Sequence, residues 1–292
     1  MTTDNRGRYE APGQPADQGF TRLSVNQQTV RQLSVPDLVD GCAAAGISGV
    51  GLWRDPVREF GAARAAKTVR DAGITVTSLC RGGFFTASDP VERAAALADN
   101  RAAVDEAAAL GTATLVLVSG GLPSGSRDIA GARERVVDAI AELTPYAAER
   151  GIRLAVEPLH PMFASDRCVV STLGQALEIA RRFPAERVAV VIDTYHLWWD
   201  DRVPGQIAQA GAEGRIAAFQ LADWVTPLPE GVLLGRGQLG DGCIDLRSFR
   251  EQVDAAGYAG PIEVEVFNPV LWARDGREVI AETAQRFRAL VL

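Results

Sequence analysis

Acidic and histidine side chains follow two apolar runs of this chain at the same spacing. One run ends at Glu157 and is followed three residues later by His160, and another ends at Asp193 and is followed three residues later by His196. These are the two histidines of a chain of 292 residues. A histidine can act as a general base near neutral pH, and carboxylates can hold a divalent metal ion. The pattern therefore predicts a metal site with an acid–base group beside it.

Further oxygen donors lie in the next two apolar runs. Gln220 lies near the end of one, and Glu263 and Glu265 lie in the other. Residues two apart on a strand point the same way, and we choose Glu265 because it is nearer the C-terminal end. Crowded carboxylates repel one another unless a cation lies between them, and oxygen donors favour Mn²⁺, with Mg²⁺ or Co²⁺ as alternatives, over Zn²⁺. We expect one ion to be bound by Glu157, Asp193, Gln220 and Glu265.

Each of these residues also has a structural interpretation. A carboxylate at the end of a strand is often a helix N-cap or half of an ion pair, and a histidine near a core is often a hydrogen-bonded structural residue. Four successive runs with an oxygen donor near their ends favour the metal site. Both histidines remain candidates for the base, and His160 is the first choice because prolines flank it in "EPLHP".

The elements that must position these residues are strands and helices in alternation. The helical stretches carry apolar residues at helical spacing, and several end in Gly. Near-continuous apolar runs are typical of parallel strands covered on both faces. The pattern predicts an α/β fold, the (β/α)₈ TIM barrel, whose active sites lie at the C-terminal strand ends. The predicted strands are residues 22–27, 49–53, 74–80, 113–120, 153–157, 188–193, 216–223 and 261–267.

Composition limits the domain organisation and the classes of partner. We predict a flexible tail over residues 1–20 and a single barrel domain over residues 21–292. The four scattered cysteines form no CxxC pair, and the chain has no signal-like or membrane-spanning apolar run, so a cytoplasmic protein is expected. A net charge of −7 without a basic block argues against nucleic acid as a partner. The single lysine, Lys67, lies in a helical stretch, which makes Schiff-base or P-loop chemistry improbable.

Tryptophans follow the last three predicted strands, at positions 198, 199, 224 and 272. Flat apolar rings at a barrel mouth can stack on sugar rings, although they can also pack against the outer helices or a subunit interface. We predict that Trp198 and Trp224 contact the substrate.

Several motifs resemble the xylose-isomerase-like TIM-barrel superfamily of sugar phosphate isomerases and epimerases: "VEPLHPMF", "VIDTYHLWWD", "AFQLADW", "GRGQLGDGCIDL" and "GYAGPIEVEVF". The resemblance runs from about Leu23 to the C-terminus. It implies a metal ion, usually Mn²⁺, held from four strands, with His196 matching a family histidine and Arg236 matching a substrate-binding arginine. The implied metal ligands are Glu157, Asp193, Gln220 and Glu265.

The sequence departs from the family pattern at two positions. Gln220 stands where the family commonly has His, and Phe163 stands where ketose epimerases place a second catalytic Glu. The absence of that acid argues against a two-base epimerase.

Within the superfamily, "SLCRGGF", "EPLHPMF", "FQLADW" and "GDGCID" most resemble the catalytic subunits of bacterial C-glycoside deglycosidases. Those enzymes act on 3-keto glycosides and pair with a small β-sandwich subunit. The resemblance implies a metal-dependent lyase that removes the C2 proton and eliminates the C1 substituent. Two alternatives remain, a sugar isomerase or epimerase that uses a metal-stabilised enediolate and a scaffold subunit without catalytic activity.

Overall fold

A closed barrel of eight parallel strands forms the centre of the protein. The computed structural model describes residues 20–292, so the predicted tail, apart from Phe20, lies outside the described residues. The barrel strands are β1 (Leu23–Asn26), β2 (Gly49–Trp53), β3 (Thr75–Gly83), β4 (Thr114–Val118), β5 (Arg153–Glu157), β6 (Val188–Asp193), β7 (Ile216–Leu221) and β10 (Ile262–Val264), and the chain also forms a short antiparallel pair, β8 (Asp223–Trp224) and β9 (Arg236–Gly237).

Helices surround the barrel and connect its strands. Among the described residues, none of them has the length and apolar character needed to cross a membrane. They are α1 (Val35–Ala44), α2 (Arg54–Phe60), α3 (Ala62–Asp71), α4 (Pro90–Leu110), α5 (Ile129–Glu149), α6 (Leu173–Ala180), α7 (Thr194–Leu197), α8 (Val203–Ala212), α9 (Leu246–Ala255), α10 (Pro269–Trp272) and α11 (Gly276–Leu290), with 3₁₀ turns at Gln27–Val30, Pro161–Phe163 and Val232–Leu234.

Side-chain caps decide where the longest helices begin. The carboxylate of Asp89 accepts hydrogen bonds from two backbone N–H groups in the first turn of α4, and Asp128 caps α5 in the same way with one. At the other end of α4, Gly111 takes the left-handed conformation that stops a helix. Such local signals keep the connections short and return the chain to the next strand.

The predicted barrel is confirmed, although several strands end at other residues than predicted, and two of these differences concern the site. The seventh strand ends at Leu221, and Asp223 pairs with Gly237 in the β8–β9 ladder because the loop after β7 folds back over the barrel. The eighth barrel strand, β10, ends at Val264, so Glu265 follows the strand. Both differences place polar groups above the strand ends.

The register of the last three barrel strands brings polar residues level with one another. Asp193 of β6 is aligned with Gln220 of β7, and Gln220 is aligned with Glu263 of β10. All residues of β6 are buried, since the barrel interior covers one face and the helices cover the other. The strands therefore deliver these three polar side chains to one layer of the interior.

The closing helix α11 provides a test of how much the outer packing contributes to stability. Phe287 is fully buried, whereas Leu290 on the same helix is 39% exposed. We expect Phe287→Ala to lower the free energy of unfolding by about 3–5 kcal/mol and Leu290→Ala to change it by much less. Urea denaturation followed by circular dichroism measures both, and similar losses for the two variants would contradict this packing.

Candidate metal and substrate site

A buried acidic cluster lies at the C-terminal ends of β5 and β6. The Nε2 atom of His196 is 3.7 Å from Asp193 Oδ2 and 3.9 Å from Glu157 Oε1, and the ligand atoms of the three residues lie within 4.8 Å of one another. His196 follows Asp193 in the short helix α7, whose N-cap is Asp193 itself. The spacing of three residues in the sequence thus places the acid and the histidine side by side.

Arg236 connects this cluster to Glu265. Its Nη1 donates to Asp193 Oδ2 at 3.1 Å and to Glu265 Oε2 at 3.2 Å, and its Nη2 lies 3.1 Å from His196 Nε2. The guanidinium carbon lies 4.8 and 4.7 Å from the ring centres of Tyr195 and Phe267. The arginine predicted to bind substrate is therefore held among the predicted metal ligands.

The carboxylate of Asp223 anchors the loop that carries Arg236. Its two oxygens accept hydrogen bonds from the backbone N–H groups of Trp224, Gly240, Gly242 and Ile244 at 2.8–3.0 Å. The β8–β9 ladder aligns Trp224 with Arg236, and the Asn268 side chain donates to the Arg236 carbonyl. Because both ends of the loop are fixed, Arg236 reaches the site as part of an ordered hairpin.

A hydrogen bond to Glu263 orients the side-chain amide of Gln220. Its carboxylate accepts hydrogen bonds from Asn26, Thr77, Ser78 and the Gln220 amide nitrogen at 2.7–3.1 Å. With its nitrogen used in this way, the Gln220 amide leaves its buried Oε1 without a hydrogen-bond partner among residues 20–292. A buried acceptor in this state is free to bind a cation.

Burial and mutual repulsion change the protonation of the acids. Burial, followed by the charges of Glu265 and Asp193, raises the pKa of Glu157 well above its usual range. Burial also raises the pKa of Asp193 and raises that of Glu265 to about 8, although Arg236 opposes both shifts. The pKa of His196 lies well below its usual range, because burial and the charge of Arg236 disfavour the imidazolium. The site as a whole is short of positive charge.

These residues fit a divalent cation. Three buried carboxylates, Glu157, Asp193 and Glu265, lie around the Arg236 guanidinium, and the unpartnered amide oxygen of Gln220 adds a neutral donor. Ligand atoms about 2.1 Å from a six-coordinate ion lie roughly 3–4 Å apart, and His196 Nε2 lies at 3.7 and 3.9 Å from Asp193 and Glu157. The predicted ligands fall into two groups, one around Glu157 and Asp193 and one around Glu265, with Arg236 between them.

The match to a known protein family covers most of this chain. The family model described as a xylose isomerase-like TIM barrel matches residues 39–289. The chain belongs to this family. The match includes every strand of the barrel except β1 and all the residues of the acidic cluster.

Individual proteins are also similar to the chain. The 3-dehydroshikimate dehydratase of Pseudomonas aeruginosa is 29% identical over 242 residues, which make up 80% of this chain and 36% of that enzyme. The crystal structure of protein SMc04130 from Sinorhizobium meliloti 1021 shares 46% identity over 93% of this chain and 98% of its own, with a TM-score of 0.90. The IOLI protein with a bound zinc atom shares 20% identity over 93% of this chain and 98% of its own, with a TM-score of 0.81, and at this identity shows the fold alone.

The two histidines occupy different positions in the family fold. His196 lines a cavity of about 250 Å³ above the acidic cluster. His160 is not among the residues lining that cavity, and its ring packs 4.8 Å from Trp224 and 5.6 Å from Trp199. Burial lowers the pKa of His160, and its Nδ1 accepts a hydrogen bond from the Met162 backbone. Of the two candidate bases, the structure brings His196 to the cavity.

The two donors beside His196 make conflicting demands on its ring. The backbone N–H of His160 lies 3.2 Å from Nδ1, and Nη2 of Arg236, which can only donate, lies 3.1 Å from Nε2. A neutral imidazole accepts at one nitrogen only, so the two contacts cannot both be hydrogen bonds. The charged donor favours an unprotonated Nε2, the atom that also lies beside Glu157 and Asp193. In this form His196 can accept a proton.

The predicted substrate-binding tryptophans pack away from the cavity. The ring centres of Trp198 and Trp224 lie 5.3 Å apart, and Trp224 also packs against Tyr195 at 4.9 Å. The aromatic residues that do line the cavity are Trp53, Phe267 and Trp272. Trp272 is one of the four tryptophans that follow the last three predicted strands, and of those four it is the one that lines the cavity.

Sequence reasoning also missed several polar residues of the site. The sequence assigns Glu263 no role, because its part as the partner of Gln220 depends on three strands that are distant in the sequence. Arg81 in β3 lines the cavity and lies in the quoted motif "SLCRGGF". The rule that polar residues near C-terminal strand ends are functional would have found it.

A metal titration tests the geometry of the donors. We expect the chain to bind one Mn²⁺, and Asp193→Ala or Gln220→Met to weaken binding by more than the roughly 10- to 100-fold that loss of an outer-shell partner costs. Isothermal titration calorimetry and elemental analysis of the dialysed protein measure this. Glu178→Gln, which removes an exposed carboxylate from α6, is the matched control. Full metal content in both site variants would show that these donors do not form the site.

Proposed function

We propose that the protein is a divalent-metal-dependent enzyme that enolises a keto sugar and cleaves 3-keto glycosides by β-elimination. The observation that carries the proposal is the buried set of acids beside an uncharged histidine, of which Glu157, Glu265 and His196 line one cavity. The ion would be held by Glu157, Asp193, Gln220 and Glu265, and we propose Mn²⁺ because the donors are oxygen atoms. Such an ion supplies positive charge that stabilises an anion developing on a carbonyl oxygen.

The protein's own groups can perform the proton transfers. In a 3-keto glycoside the C2–H bond breaks, its electron pair forms the C1–C2 double bond, and the C1 substituent leaves with the electrons of its bond. His196, which is uncharged and lines the cavity, can accept the C2 proton. Glu157 and Glu265 line the same cavity, and His160 is a positioning residue whose backbone N–H lies 3.2 Å from His196 Nδ1.

Two features support elimination over two-base epimerisation. Phe163 is buried with its ring 5.7 Å from that of His196, so the position where ketose epimerases carry a second acid is apolar here. The dehydratase relative, by its name, removes water from a keto substrate, which is an elimination reaction. The apolar residue beside His196 therefore favours a reaction in which a single base removes the proton.

The reaction is tested by incubating the Mn²⁺-loaded protein with 3-keto glycosides and, separately, with free ketoses in D₂O. We expect deuterium at C2 of the recovered 3-keto glycoside and release of the C1 substituent, both measured by NMR spectroscopy. Isomerised or epimerised ketoses without glycoside cleavage would support the isomerase or epimerase instead. The absence of both products and of deuterium exchange would favour the scaffold. Full cleavage by the chain alone would show that a small β-sandwich subunit is not required.

The two histidines are distinguished by their variants. We expect His196→Ala to lower turnover by about 10²–10⁴-fold, as loss of a proton-transfer group does. His160→Ala retains the backbone N–H and should keep most of the turnover, while losing about 1 kcal/mol of stability because Nδ1 caps the turn at Pro161–Phe163. Turnover at saturating Mn²⁺ and urea denaturation measure the two effects. A larger loss of turnover in His160→Ala would restore His160 as the base.

A further inference from the structure

A group of arginines lines the outer part of the cavity, away from the acidic floor. Arg31, Arg81 and Arg167 all contribute to its wall. Apart from the floor acids Glu157 and Glu265, the acidic residue lining the same cavity is Asp55. The outer wall therefore carries more positive than negative charge, in a chain whose net charge is −7.

In the part of the chain that the structure describes, no close ion pair holds the guanidinium groups of these three arginines in place. Within residues 20–292, the Arg81 side chain has no hydrogen bond or ion pair, and its guanidinium carbon lies 4.0 Å from the ring centre of Phe84. Arg31 lies over Trp272 at 5.1 Å in the same manner. The ion pair of Arg167 is a 3.8 Å contact with its exposed sequence neighbour, Asp166.

Two neighbouring arginines on α2, by contrast, form short ion pairs with acids on α4. Arg54 binds Asp99 and Glu106 at 2.7 Å each, and Arg58 binds the same two acids at 3.1 and 2.7 Å. Those two arginines hold α2 against α4. Arg81 lies beside them, since its carbonyl accepts a hydrogen bond from Arg54. Its side chain lines both the substrate cavity and a neighbouring cavity of about 230 Å³ that Arg54 and Phe84 also line.

The arrangement of Arg81 and Arg167 is electrostatically costly without a ligand. Burial and then the charge of Arg167 lower the pKa of Arg81. An arginine nevertheless stays protonated at neutral pH, so two positive charges are held near each other in a partly buried wall. An anion between them would remove the repulsion and supply acceptors for both guanidinium groups.

We infer that the substrate is an anion, and that a carboxylate or phosphate group on it is bound by Arg81 and Arg167 at the outer wall. This inference rests on the proposed function for the opposite end of the substrate, where the keto group meets the acidic floor. Trp53, Phe267 and Trp272 line the cavity as well and can contact the sugar ring or the leaving group. The substrate class is therefore an acidic sugar, a sugar phosphate or a glycoside with an acidic substituent, rather than a neutral glycoside.

Unreactive ligands test the anion site without turnover. Calorimetric titrations of the Mn²⁺-loaded protein compare methyl glucoside, glucuronate, glucose 6-phosphate and inorganic phosphate. We expect one charged sugar to bind about 10- to 100-fold more tightly than the neutral one, as charge-assisted hydrogen bonds to a guanidinium provide. The tighter of glucuronate and glucose 6-phosphate identifies the anion, and inorganic phosphate alone shows whether the sugar contributes.

Two variants and a matched control locate the effect. Arg81→Gln and Arg167→Gln should each reduce the preference for the charged sugar by about tenfold and leave methyl glucoside binding unchanged. Arg70→Gln removes an exposed positive charge from α3 and should retain the full preference. Thermal unfolding confirms that each variant is folded.

Equal binding of neutral and charged sugars, or the same loss of preference in Arg70→Gln, would overturn the inference. Deuterium exchange at C2 separates this result from the proposed function. Exchange without an anion preference contradicts the inference alone, and an anion preference without exchange supports the anion site while contradicting the proposed reaction.

Discussion

The site depends on the burial of three carboxylates around one guanidinium. Glu157, Asp193 and Glu265 are buried, and Arg236 directly contacts the last two of them. Burying an ionised group without a partner is costly, so such a cluster persists when protons or cations neutralise it. The raised pKa values of Glu157, Asp193 and Glu265 are the consequence of this deficit. A divalent cation would remove it.

The barrel and its loops provide the positions that this cluster requires. The strand register places Asp193, Gln220 and Glu263 at one level, and the Asp223-anchored hairpin brings Arg236 over them. Glu263 accepts hydrogen bonds from four side chains, and one of them holds the Gln220 amide nitrogen and leaves its buried amide oxygen without a partner among residues 20–292.

The sequence was informative where the backbone determines the direction of a side chain. Strand ends predicted the barrel and the convergence of Glu157, Asp193 and Glu265, because parallel strands all point their C-terminal ends to one face. Residues beyond a strand end were harder, since a loop can turn them in any direction. His160 and Trp224 follow their strands closely, yet they pack against each other. The pairing of Glu263 with Gln220 joins residues 43 positions apart and has no local pattern.

A crystal soaked in Mn²⁺ tests the central claim most directly. Anomalous diffraction at the manganese edge locates the ion independently of the protein's activity. The account predicts one peak within about 2.2 Å of oxygen atoms of Glu157, Asp193, Gln220 and Glu265, with the Arg236 guanidinium displaced from its position between the acids. A map without a peak there, in which Arg236 keeps its contacts with Asp193 and Glu265, would contradict it.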